Sequence, residues 1–203
     1  MTSFDLTLFE APLVVPRLES GPVLLRPFSC DDLPLIRHAA SDPYIPSVTS
    51  VPSTYSDEGG RAFIKRQQDH ATGGHGYPFV ITDASRPDRG VGCVGLWIQE
   101  IESGRASVGY WVAPDARGKN KAGWALRGVV TFAFDVLAIP RLHLFVEPWN
   151  IASQRTAEFA GFTREALLLG WERIDHAQRD VYSYARLREE KSLGPRDDVD
   201  ALH

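Results

Sequence analysis

The stretch "VAPDARGKNKAGWALRGVVTFAF", residues 112–134, changes character halfway along. Its first half is a turn of small residues that carries Arg117, Lys119 and Lys121. Its second half is helical. Leu126, Val129, Val130, Ala133 and Leu137 recur at the spacing of one helix face, and Pro140 ends the run. The three cations stand where the helix dipole is already positive, and after Asp115 no acidic residue of that turn offsets them. A helix start leaves backbone N–H groups unpaired, and small residues let a ligand come close to them. With cations added, such a turn suits a phosphate.

The segments around this turn read as strands and helices in alternation. Just before it, Ala106, Val108, Tyr110 and Val112 alternate with Arg105, Ser107, Gly109 and Trp111, the period of a strand. "YPFVITDA" and "VGCVGLWIQEIE" are two earlier strands, with "SRPDRG" as the turn between them and Ser103-Gly104 as a hairpin turn after them. Further upstream, "PVLLRPFS" is a short strand. "CDDLPLIRHAASDP" is a helix capped by Asp31 or Asp32, with Pro34 in its first turn. Pro43, Pro46 and Pro52 mark an irregular loop, and residues 57–71 form a helix that stops at Gly73. Downstream, "RLHLFVEP" is a strand and "WNIASQRTAEFAG" a helix with Asn150 as cap and Gly161 as stop. "FTREALLLGWERI" and "RDVYSYARLRE" close the fold as paired strands. The expected architecture is one α/β domain over residues 1–203, with its core at about 22–190 and a frayed tail at 192–203.

Composition narrows the function classes. The 203 residues are 43% hydrophobic and 24% charged, enough for a sizeable core without staples. A net charge of −4 argues against a nucleic-acid partner. Cys30 and Cys93 have no ligand neighbours at metal spacing and read as small buried hydrophobes. The six histidines show no paired spacing, so no metal site is expected. The N-terminal segment has no basic region followed by an apolar core, and no apolar run approaches the ~18 residues of a spanning helix. The expectation is a soluble cytoplasmic protein without a membrane partner.

Two phosphate motifs fail on the letters. Gly118 and Gly123 have the spacing of a nucleoside-triphosphate loop, but Trp124 and Ala125 stand where that loop needs Lys and Ser or Thr. GxGxxG is absent, which disfavours a dinucleotide site. The run from "VGYWVAPDARGKNKAGWALRG" through "WNIASQRTAEFAGFTREA" resembles the core of the GNAT superfamily of acyl-CoA-dependent N-acyltransferases, and within it the ribosomal-protein N-acetyltransferase-like branch. That family's loop, Arg/Gln-x-x-Gly-x-Gly/Ala, is filled by Arg117-Gly118-Lys119-Asn120-Lys121-Ala122, with Asn120 in place of the usual glycine. Asn tolerates the left-handed region better than most residues, so the turn is expected to survive. Asn150 and Ser153, then Ala160-Gly161-Phe162, match the second signature, and "LLRPFSCDDLPLI" resembles the first strand and helix. The likeness spans residues 24–187.

This resemblance implies a GNAT-like α/β (α+β) fold: a mixed central sheet of six or seven strands flanked by about four helices. It implies acetyl-CoA as acyl donor, with residues 117–123 (Arg117, Gly118, Lys119, Asn120, Lys121, Ala122 and Gly123) on the diphosphate. Main-chain groups of Trp111 and Val112 would hold the pantetheine arm, and Asn150 and Ser153 would meet the arm or the departing thiolate. Acetyl transfer needs an unprotonated amine and donors facing the thioester oxygen. Glu100 and Glu102, two apart on one side of their strand, and Glu147 at a strand end are the candidate bases, with Glu100 and Ser153 as the catalytic pair. Tyr110 reads as core, and Trp97, Trp111 and Trp149 either pack or line the acceptor pocket. The implied function is acetyl transfer to a primary amine, at a protein N-terminus or on a small molecule, by direct attack in a ternary complex. The alternatives are a non-catalytic acyl-CoA sensor or a transferase for another acyl group. Either a monomer or a homodimer is compatible with this reading.

Overall fold

Eight strands form: β1 (Leu18–Ser20), β2 (Val23–Arg26), β3 (Gly76–Asp83), β4 (Arg86–Trp97), β5 (Arg105–Val112), β6 (Arg141–Val146), β7 (Thr163–Ile174) and β8 (Ala177–Leu187). In the computed structural model, which describes residues 6–189, they make one sheet in the order β1-β2-β3-β4-β5-β6-β8-β7. The tail expected to fray, residues 192–203, lies outside the described residues. Every neighbouring pair is antiparallel except β5 with β6, which run parallel. The helices are α1 (Leu33–Ala40), α2 (Ile45–Val48), α3 (Asp57–Thr72), α4 (Lys121–Thr131) and α5 (Ile151–Phe159).

Two of these elements go beyond the sequence expectation of six or seven strands and about four helices. β1 has only three residues and no apolar alternation to announce it. α2 lies inside the proline-rich loop, where Pro46 sits in the first turn and its missing N–H removes no helical bond.

The core has two layers. On one face of the sheet, Leu126, Val129 and Val130 of α4 are buried against Leu25, Phe79, Ile81, Leu142 and Leu144. Each such side chain is worth about 1.5–3 kcal/mol when fully buried. Beyond Thr131 the helix widens into a π turn over Phe132–Val136, and Leu137 still packs into the same core. On the other face, Leu35, Ile36, Phe63 and Ile64 of α1 and α3 pack on Val80, Cys93 and Trp111. No residue of β6, β7 or β8 belongs to this second cluster, so the helical layer stops at β5.

Several local expectations are corrected. β4 ends at Trp97, and Glu100 and Glu102 are not strand residues. Ile98 N–H bonds His75 O and Ile101 N–H bonds Ile98 O, which turns the chain out of the sheet into a short 3₁₀ turn over Ile101–Ser103. β4 begins at Arg86, so most of "SRPDRG" is strand and not turn. Cys30 is exposed at a short helical turn, whereas Cys93 is buried as expected. No described helix is long and apolar enough to cross a membrane.

Candidate functional site

The loop between β5 and α4 holds two left-handed residues in close succession, Gly118 at φ 77° and Asn120 at φ 52°. At Gly118 this conformation favours glycine, and a Cβ there would meet nothing within 4 Å. Gly118 stands three residues before α4, whose first N–H groups have no partner within the helix, the arrangement that receives a phosphate. At Gly123 the reason is packing. A Cβ would collide with Asn120 Oδ1 and come within 2.7 Å of the Phe159 ring.

The three cations of this loop have different partners. Arg117 Nη2 stands 2.8 Å from Asp42 Oδ2, and its Nε donates to Val112 O at 3.1 Å. Lys121 is buried, with Nζ 2.6 Å from Asp83 Oδ1. Lys119 is exposed and makes no hydrogen bond or ion pair among the described residues; it only attracts Asp83 from a distance. Asp115, the nearest acid in sequence, is instead held by His38 and Arg89, each at 3.3 Å. Burial pushes the Asp42 carboxyl up, but the N–H groups of Ile45 and Tyr44 together with Arg117 outweigh it and leave it below the usual range. The hydrogen bond from Lys121 does the same for Asp83.

Within β5, before the loop begins, the sheet splits. β5 and β6 pair only from Arg105 with Arg141 to Ser107 with His143. Beyond that, β5 stays with β4 through Val112 and β6 stays with β8 through Val146. Ala113 N–H reaches Val91 O on the β4 side. Main-chain groups alternate along a strand, so those of Trp111 face β4, while those of Val108, Tyr110 and Val112 face the gap.

The gap opens on a cleft of about 880 Å³. Asn150 caps α5, its Oδ1 accepting from Ser153 N–H at 3.1 Å. The Ser153 hydroxyl lies 2.8 Å from Tyr110 Oη, which also reaches Ser153 O at 3.0 Å. Burial pushes the Tyr110 hydroxyl up to about 12, so it stays protonated. Three residues before Asn150, Glu147 is 7% exposed and its Oε2 accepts from Tyr44 Oη at 2.6 Å. Burial and the adjacent Glu147 push the Tyr44 hydroxyl up as well. Glu100 also lines the cleft, but it is ion-paired with Arg105, which holds its carboxyl below the usual range.

The family profile described as "Acetyltransferase (GNAT) domain" matches residues 23–163. The chain belongs to the GNAT acetyltransferase family. This GNAT chain is 26% identical to the uncharacterized N-acetyltransferase p20 of Bacillus licheniformis over 166 residues, which are 82% of this chain and 93% of that one. In fold it matches Mycobacterium smegmatis RimJ in complex with CoA-disulfide, with a TM-score of 0.75 and 24% identity over 89% of this chain and 90% of that chain. It also matches the ribosomal-protein-S5-alanine acetyltransferase of Vibrio fischeri, with a TM-score of 0.72 and 16% identity over 86% and 98% of the two chains. The protein is an N-acetyltransferase.

The GNAT fold brings most of the sequence-derived residues to two adjoining places. Arg117, Gly118, Lys119, Asn120, Lys121, Ala122 and Gly123 form the loop and helix start. Trp111, Asn150 and Ser153 line the cleft beside them, as do Trp97 and Glu100. Tyr110 is more than core, because its hydroxyl bonds Ser153 in that cleft. Sequence reading missed Tyr44, His143 and Glu172, which also line it. The β6 alternation held a signal for His143, since Leu142, Leu144 and Val146 are core and His143, Phe145 and Glu147 face the other way. Burial holds the His143 imidazole below its ordinary value.

Proposed function

We propose that the protein moves an acetyl group from acetyl-CoA to the primary amine of a protein N-terminus, by direct attack in a ternary complex. The observation that carries this reading is the split between β5 and β6, whose free main-chain edge lies between the glycine loop and the buried carboxylate of Glu147. In this reading the α4 N–H groups and Lys119 hold the diphosphate, with Arg117 and Lys121 fixing the shape of the loop. Tyr110 offers its main-chain groups, and Val112 its N–H, to the pantetheine arm and the thioester, Val112 O being already held by Arg117. Such donors act where charge develops in the transition state. Ser153, with its hydroxyl tied to Tyr110, serves the departing thiolate. Asn150 sets the start of α5.

Glu147 is the residue that takes the amine proton. It is buried in the cleft, whereas Glu100 is exposed and held by Arg105. A base must reach the proton it removes and must not already be neutralised by a fixed cation. The choice of a protein N-terminus is supported by the ribosomal-protein acetyltransferases among the proteins of similar fold. Steady-state turnover of Glu147→Gln against Glu100→Gln tests the assignment. The reading requires a loss of about 10²-fold in the first and a small one in the second. Equal losses would sink it.

A further inference from the structure

Residues 42–50 lie over the split in the sheet and are tied down at three points. Asp42, 5% exposed, pairs with Arg117 of the donor loop at 2.8 Å. Its other oxygen accepts from the N–H groups of Tyr44 and Ile45, each at 2.9 Å, and so fixes the start of α2. Tyr44 reaches across to Glu147 at 2.6 Å and packs edge-on against Trp149, with ring centroids 4.9 Å apart. Arg66 of α3 holds the far end by donating to Ser50 O at 2.9 Å. Ser47, Val48, Thr49 and Ser50 line the cleft, so the segment is also one of its walls. One carboxylate therefore connects the loop after β5 to the aromatic residue that holds the carboxylate after β6.

We propose that residues 42–50 are a strap that couples the donor loop to Glu147, with Asp42 and Tyr44 as positioning residues. Acetyl-CoA that settles the loop settles Arg117, and Arg117 settles Asp42. Asp42 fixes the main chain of Tyr44, and the Tyr44 hydroxyl then orients Glu147 toward the acceptor. Donor occupancy thereby prepares the acceptor side before an amine arrives. The coupling stands on the ion pair and the cap alone. The role given to Tyr44 in turnover rests on the reading of Glu147 as the base.

Two measurements on the full-length protein test the strap. Hydrogen exchange with acetyl-CoA alone reads the coupling without any acceptor. Protection of residues 42–50 should rise several-fold at saturation in the parent. In Asp42→Asn, whose amide oxygen still caps α2, that rise should vanish while residues 113–123 stay protected. If Asp42→Asn fails to fold, Arg117→Gln breaks the same pair from its exposed side. No rise in the parent, or an equal rise in the variant, overturns the strap. Turnover with peptides bearing free N-termini reads the second half. Tyr44→Phe keeps the ring against Trp149, and kcat should fall about tenfold with the acetyl-CoA dissociation constant within twofold. The double variant Asp42→Asn/Tyr44→Phe should be no slower than Tyr44→Phe, because Asp42 acts through Tyr44. A parental kcat in Tyr44→Phe beside an inactive Glu147→Gln refutes the positioning role and leaves the base in place. A parental kcat in Glu147→Gln refutes the base reading, and hydrogen exchange then still decides the coupling.

Discussion

Arg117 Nη2 lies 2.8 Å from Asp42 Oδ2, and this pair explains why a cation stands on a helix start that should repel it. The guanidinium is half exposed while the carboxylate is buried, so removing Arg117 strands a buried charge. Arg117→Ala should therefore lower the stability of the ligand-free protein by about 1–2 kcal/mol in urea unfolding. Lys119 has no such partner among the described residues. Lys119→Ala should stay within about 0.5 kcal/mol of the parent and weaken acetyl-CoA binding by calorimetry. The reverse pattern would make Arg117 the diphosphate ligand and Lys119 the structural residue.

The pair of Lys121 and Asp83 makes a prediction in pH. Asp83 has its folded pKa depressed by Lys121, so the stabilisation is full above the unfolded value of about 3.9 and is lost as pH falls through the lower folded value. The stability gap between the parent and Asp83→Asn should be flat from pH 5 to 7 and should close below about pH 4. A gap that widens toward low pH would contradict the direction of the shift.

The loop itself was legible from the chain, down to the left-handed Asn120 in the family's glycine position. So were the strand before it, the apolar face of α4 and the Asn150 cap, because each is written within a few residues. The counter-charges of the loop were not legible. Asp42 and Asp83 are brought to Arg117 and Lys121 by the stacking of separate elements, and no local spacing encodes that meeting. The same holds for the cleft. Tyr44 and Glu147 are 103 positions apart, and α2 was hidden by prolines that read as loop. The place of Glu100 in a strand was misread because the apolar alternation before it suggested a strand running to Glu102, five residues past its end at Trp97.

Ser153 and Tyr110 should behave as one unit. Ser153→Ala and Tyr110→Phe each remove one hydroxyl of a 2.8 Å contact. Both should lower kcat by about tenfold or more, with little change in acetyl-CoA affinity. The double variant should be scarcely worse than either single one, since the two hydroxyls share one task. Raising the pH should not restore the rate, because the defect lies at the thiolate and not at the amine. Independent, multiplicative losses would separate the two residues.

Ligand stabilisation should distinguish the two ends of the donor site. At 100 times its dissociation constant, acetyl-CoA should raise stability by roughly 2.7 kcal/mol. An adenine nucleotide without the pantetheine arm engages only the loop and leaves the free edge of β5 unused, so at equal concentration it should do much less. Equal thermal shifts would mean that the split between β5 and β6 contributes nothing to binding.

In the proposed reading this GNAT protein turns acetyl-CoA over with an amine whose proton Glu147 removes. The direct measurement is release of the CoA thiol, with acetylated product identified by mass, using peptides with free N-termini and N-blocked controls from pH 6 to 10. The account predicts turnover on free N-termini only. It also predicts a loss of about 10²-fold in Glu147→Gln that shrinks at high pH, where more of the amine arrives deprotonated. Tight acetyl-CoA binding with no thiol release from any peptide would contradict it and make the protein an acyl-CoA sensor.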